Sequence, residues 1–119
     1  MNNMPKKLRD ELANDAFYEK CSVGNKDCKG RITWEHALYY AGKQVQERWA
    51  IIPLCWYHHL GGGLVKDFNE WVALNRLFHD KSFLGEAKKK YPKAIANWKQ
   101  RVLFLNKKYG SYRVKKQQD

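Results

Sequence analysis

A chain of 119 residues with 44% apolar and 14% aromatic content, five Trp among them, is sized for one domain with a modest core and is not a disordered polymer. The longest apolar run, residues 49–57, is nine residues and too short to span a bilayer. The N-terminal dozen mixes Lys6 and Lys7 with Asp10 and Glu11 and has no apolar stretch behind them, so no secretory leader, no membrane partner and a cytoplasmic location are expected. The net charge of +11 is confined: residues 88–116 carry eleven Lys or Arg and no acid, while the rest of the chain balances twelve bases against all twelve acids. Such a segment is an electrostatic footprint for a polyanion, of which nucleic acid is the commonest inside a cell. A solvated tail that aids solubility or touches anionic lipid is the plainer reading of the same charge.

In chain order, residues 5–19 read as a helix with Leu8, Leu12 and Ala16 four apart. Residues 21–30 (CSVGNKDCKG) form a turn-rich loop holding Cys21 and Cys28. A strand is expected over residues 31–34, with Ile32 and Trp34 on one face. Residues 37–48 connect it to a second strand at 50–54, which Pro53 places at a sheet edge or end. The glycines at 61–63 break the chain before a helix at 67–78. Asp67 and Glu70 stand there at capping-box positions, and Phe68, Trp71, Leu74 and Phe78 form a buried stripe. A last helix follows Pro92, with Ile95, Trp98, Val102 and Leu105 inward, Lys93, Gln100 and Lys107 outward, and Gly110 at its end. His79, beside Asp80 at a helix end, reads as a surface histidine favoured by the helix C-terminus.

Three cysteines make an odd set that disfavours a disulfide scaffold. Cys55 opens the run CWYHH, and a C-x-x-H knuckle lets one tight turn aim Cys55 and His58 at a single ion; Cys21 and Cys28 complete a Cys3His shell suited to structural zinc. Three buried thiols in an apolar core are the alternative, but a Gly/Asn/Lys/Asp loop is a poor place for core residues. If His58 faces the zinc, His59 is turned elsewhere and is available for other chemistry. Upstream, Trp34-Glu35-His36 sets a carboxylate beside an imidazole at a strand end, a pair that by itself reads as one surface acid and one half-buried histidine.

Together, WEH at 34–36 and AIIPLCWYHH at 50–59, with His59 placed 23 positions after His36, resemble the HNH family of ββα-metal (His-Me finger) nucleases, in the style of small phage or prophage members. The likeness covers residues 21–77, about half the chain. It implies an α+β fold: a ββα-metal core with a zinc knuckle over residues 21–80, an N-terminal helical segment at 1–20, and a basic C-terminal helix and tail at 81–119. It implies His36 as the general base that takes a proton from the attacking water. Glu35 and His59 are the implied ligands of one catalytic cation, Mg2+ or Mn2+. Cys55 and His58 are one half of the zinc knuckle, and Cys21 and Cys28 the other. The middle Asn of the family falls near Ala50 here, with Gln44, Gln46 or Asn69 as candidates to replace it; the glycines at 61–63 stand where the family continues as helix.

Phosphodiester hydrolysis needs an activated water, a Lewis acid and a grip on phosphate. The grip is expected from Lys88, Lys89, Lys90, Lys93, Lys99, Arg101, Lys107, Lys108, Arg113, Lys115 and Lys116, contacting phosphates with little sequence preference. The expected function is therefore metal-dependent cleavage of DNA, RNA being compatible with the same footprint, in a phage- or prophage-encoded protein acting inside a bacterial host. Double-strand cutting from a single site would call for a homodimer or a protein partner. The alternative is a zinc-stabilised nucleic-acid-binding protein that keeps the HNH fold without catalysis.

Overall fold

The computed structural model describes residues 4–24, 26–61 and 66–110, a mixture of helices and two small antiparallel sheets. Its elements are α1 (Lys6–Ala13), β1 (Ile32–His36), β2 (Tyr39–Tyr40), β3 (Lys43–Gln44), β4 (Ile51–Cys55), α2 (Lys66–His79), α3 (Lys81–Lys90) and α4 (Pro92–Tyr109). Short 3-10 turns at Ala16–Glu19 and Arg48–Ala50 and a π turn at Tyr57–Gly61 join them. No helix among the described residues is long and apolar enough to cross a membrane.

The apolar run of residues 49–57 becomes the centre of the molecule. All of β4 is buried, and β1 lies antiparallel to it in the register Ile32↔Cys55 through His36↔Ile51. Pro53 is accommodated because a two-stranded sheet has two edges. One face of β4 meets α2, which buries Phe68, Trp71, Leu74 and Leu77; Phe78, expected in the stripe, is half-buried, since the apolar face follows Leu77 instead. Helix α4 closes the same core with Ala94, Trp98, Val102 and Leu105, leaving Lys93, Gln100 and Lys107 exposed as the helical period requires. A second cluster gathers Met4, Leu8, Leu12 and Tyr18 around Ile51. Among the described residues, α1 packs on β4 through Ile51, and α3 and α4 pack into the larger cluster.

Several local expectations are corrected. The first helix stops at Ala13, where Asp15 caps a separate 3-10 turn by accepting from the Phe17 N–H at 2.9 Å. The strands run one or more residues later than their β-branched and aromatic positions suggest, because pairing to a partner, not propensity, sets their ends. Helix α3 was not foreseen. Asp80 is its N-cap, accepting from the Phe83 N–H at 3.0 Å, so the residue read as a helix end also begins the next helix. The connection at 37–48 contains the β2–β3 hairpin, whose loop, Ala41 at φ 54° and Gly42 at φ 79°, has the two positive φ angles of a type I′ turn. Gly110 ends α4 in a right-handed conformation, not the left-handed one usual for a terminal glycine.

Asp67 is not spent on a cap. Its carboxylate accepts from Lys108 Nζ at 2.7 Å and Tyr109 Oη at 2.6 Å, clamping the start of α2 to the end of α4. Those two donors, against the opposing effect of burial, hold its pKa below the usual 3.8. A depressed carboxylate pKa adds stability above the unfolded value and loses it as pH falls through the folded one. Asp67→Asn is therefore expected to cost roughly 1 kcal/mol at neutral pH, the exposed Lys108 end being discounted for solvent screening. The gap between variant and wild type should close below pH 3.8, as read from denaturant melts across that range.

Candidate metal centre and adjoining cleft

The turn-rich loop at 21–30 folds back on the end of β4. Ser22 N–H donates to the Pro53 carbonyl at 2.9 Å, Trp56 N–H to Arg31 at 2.9 Å and Tyr57 N–H to Lys29 at 3.1 Å. Gly30, at φ +86°, is required here: a Cβ on it would lie 2.6 Å from the Cβ of Trp56. This return brings Cys21 and Cys28 to Cys55 and His58, whose ligand atoms all lie within 4.8 Å of one another. His58 Nδ1 is 3.6 Å from Cys21 Sγ, 3.7 Å from Cys28 Sγ and 3.3 Å from Cys55 Sγ. Tetrahedral zinc with ordinary bond lengths would set sulfur and nitrogen about 3.6 Å apart. The four residues fit one metal ion.

Electrostatics favours the ligand state. Burial pushes the Cys55 thiol up, but the backbone N–H groups of His58 and Lys29, the His58 ring and Cys21 outweigh it, lowering the pKa from 9.0 to about 6. Cys55 is then a thiolate at neutral pH, the form that binds metal. Cys21, Cys55 and His58 are buried and Cys28 half-buried, so the cluster is closed to substrate.

The next residue turns the other way. His59 Nε2 lies 2.8 Å from Glu35 Oε1, and its Nδ1 lies 2.9 Å from Thr33 Oγ1. The single Thr33 hydroxyl proton goes to the Leu54 carbonyl at 2.9 Å, so His59 must donate Nδ1–H to Thr33. A neutral His59 then presents a bare Nε2 lone pair to a carboxylate oxygen. Two acceptors this close call for a cation between or beside them, either a proton or a metal ion. Cis ligands of an octahedral Mg2+ would stand about 2.9 Å apart, so the pair fits the implied catalytic ion.

His36 is 4% exposed, and its Nε2–H donates to Gln46 Oε1 at 2.9 Å. Of the candidates to replace the middle Asn, Gln46 therefore engages the His36 ring. Ala50 is fully buried, and its backbone carbonyl ties the connecting loop by accepting from Ala37 N–H at 2.8 Å. Glu35 and His36 together line a cleft of about 160 Å³ with Tyr39, Asn69, Glu70 and Trp98. Asn69 brings a buried Oδ1 with no hydrogen-bond partner among the described residues, an arrangement that costs on the order of 1–3 kcal/mol. Thr33 was not singled out from the sequence, although its place two residues before Glu35, on the same strand face, is the period-two signal for it.

The basic footprint divides. Lys90 pairs with Glu47 at 3.2 Å, Arg101 with Glu70 at 3.0 Å and Lys108 with Asp67 at 2.7 Å, so these three are already engaged within the molecule. Lys88, Lys89, Lys93, Lys99 and Lys107 carry no ion pair among the described residues. Arg113, Lys115 and Lys116, like Gly62 and Gly63, lie outside the described residues. His79 is exposed and bonded to the Asn75 carbonyl at 2.7 Å, away from any ligand cluster.

Comparison with protein-family models, with curated proteins and with solved structures found no match to this chain. The site stands on its own geometry. A titration with Co2+ is expected to give one equivalent of tetrahedral, thiolate-bound cobalt by its visible spectrum. Cys55→Ser should abolish it and lower the melting temperature, whereas His59→Ala should keep it; retention of the spectrum in Cys55→Ser would reject the cluster.

Proposed function

We propose that the protein is an HNH-type, metal-dependent endonuclease that hydrolyses phosphodiester bonds in DNA, with structural Zn2+ in the Cys3His cluster. The observation that supports this most strongly is the divergence of two consecutive imidazoles. His58 joins three cysteines, while His59 joins Glu35 beside a cleft that also holds His36. A closed shell suits architecture, and a two-ligand site with open positions suits chemistry.

In this reading His36 is the base. Gln46 holds the proton on Nε2, which leaves Nδ1 as the acceptor for a proton from the attacking water. Thr33 fixes His59 in the tautomer whose Nε2 faces Glu35, so both residues offer lone pairs to one position. A Mg2+ or Mn2+ ion held there would supply Lewis acidity for the phosphoryl charge and the leaving oxygen. The unpaired lysines Lys88, Lys89, Lys93, Lys99 and Lys107 hold phosphates, each adding nearly one unit to the log–log salt slope of binding.

One observation favours a second reading, a zinc-stabilised nucleic-acid-binding protein without catalysis: a buried alanine occupies the middle Asn position. Incubation with supercoiled plasmid and Mg2+ or Mn2+ separates the two. Cleavage is expected from wild type, reduced about 10²–10⁴-fold in His36→Ala and about 10–100-fold in Gln46→Leu, by analogy with other second-sphere partners. Undiminished cutting by His36→Ala would reject that base, and salt-sensitive binding without cutting would establish the second reading.

A further inference from the structure

The cleft beside Glu35 and His36 has an aromatic lip that the hydrolytic chemistry leaves unexplained. Tyr39 lines it while 46% exposed, and its neighbour Tyr40 is 37% exposed. Both sit on a two-residue strand ending in a tight type I′ turn, a costly place to show large rings to water. Tyr40 is braced from below. Tyr40 meets Tyr91 edge-on at 5.7 Å and Trp98 at 6.5 Å, and both of those rings pack on fully buried Trp49 at 5.8 and 5.9 Å. These contacts fix the Tyr40 side of the hairpin, while Tyr39, the preceding strand residue, lies on the alternate face and lines the cleft.

Glu35 and Glu70 line the cleft itself, so the basic charge lies outside it. Lys43 pairs across the hairpin from Tyr40, and Lys88, Lys89 and Lys93 flank Tyr91 at the α3–α4 junction. An exposed ring with a lysine on the same hairpin can bind a nucleic-acid strand by stacking plus phosphate contact, tolerant of base identity. A paired duplex hides the faces of its bases, so it cannot use such a ring without unstacking a nucleotide.

We propose that the cleft takes an unpaired base next to the scissile phosphate, stacked on Tyr39, so that the substrate is single-stranded or locally unpaired nucleic acid. The phosphate beside that base is cleaved only if the nuclease reading above holds. The stacking itself does not depend on cleavage.

Binding is measured with full-length His36→Ala protein at one fixed salt concentration. The probes are an oligonucleotide carrying 2-aminopurine, its fully paired duplex, and a duplex with that base bulged. The single strand and the bulge are expected to bind about tenfold tighter than the paired duplex, with 2-aminopurine fluorescence quenched. Tyr39→Ala should lose about tenfold toward the single strand and leave duplex affinity unchanged; Tyr39→Phe should restore it, with melting temperatures equal in all three. Equal or tighter binding of the paired duplex, or unchanged single-strand affinity in Tyr39→Ala, overturns the proposal. Capture of an acidic peptide in place of every nucleic-acid probe overturns it as well. Stacking by a wild type that cuts nothing keeps this subsite and sinks the nuclease. Paired-duplex cleavage undiminished by Tyr39→Ala does the reverse.

Discussion

The turn after β4 governs everything else. Two imidazoles on consecutive residues cannot share a direction, and the π turn at Tyr57–Gly61 sends one inward to three sulfurs and the other across the sheet to Glu35. The inward one does the work of a core. The loop at 21–30 has few apolar side chains, and the cluster of Cys21, Cys28, Cys55 and His58 binds it to β4 where burial alone offers little. Once His58 is fixed, the position of His59 follows from one peptide unit. Thr33 then sets its tautomer through a proton already committed to Leu54. The Cys3His cluster thereby positions the His59–Glu35 pair.

The same economy governs charge. The C-terminal quarter looks in sequence like an appended basic arm, yet α4 contributes Trp98, Val102 and Leu105 to the core and clasps α2 through Asp67 and Glu70. Some of its positive charge is thus internal cement, and what faces outward is the smaller set of unpaired lysines. Arg101 reaches Glu70, which lines the cleft, so the basic helix is built against the candidate site rather than trailing behind it. Phosphate contacts on α4 and chemistry at β1 would therefore share one rigid frame.

Much of this was legible residue by residue. The C-x-x-H spacing announced Cys55 and His58, and the 3.6-residue period announced α2 and α4, because local geometry alone decides both. Cys21 and Cys28 were readable as unsuited to their loop unless something held them. What escaped depended on distant partners. Helix α3 carries only Phe83 and Ala87 inward, with Gly85 between them, too thin a stripe to register. The hairpin turns on Ala41-Gly42, which lacks the Asn or Asp that usually marks a type I′ turn. Gln46 could be named as one of several amides but not chosen, since its bond to His36 spans a folded loop. Asp67 looked like a cap because its donors lie more than forty residues away.

The central claim, that neighbouring histidines serve different ions, is tested most directly by anomalous diffraction from crystals grown with Zn2+ and Mn2+. A zinc peak is predicted about 2.0–2.3 Å from the Cys21, Cys28, Cys55 and His58 ligand atoms. A separate manganese peak should lie within bonding distance of Glu35 Oε1 and His59 Nε2. A single ion ligated by His58 and His59 together, or no ion at Glu35 under saturating Mn2+, would contradict the account.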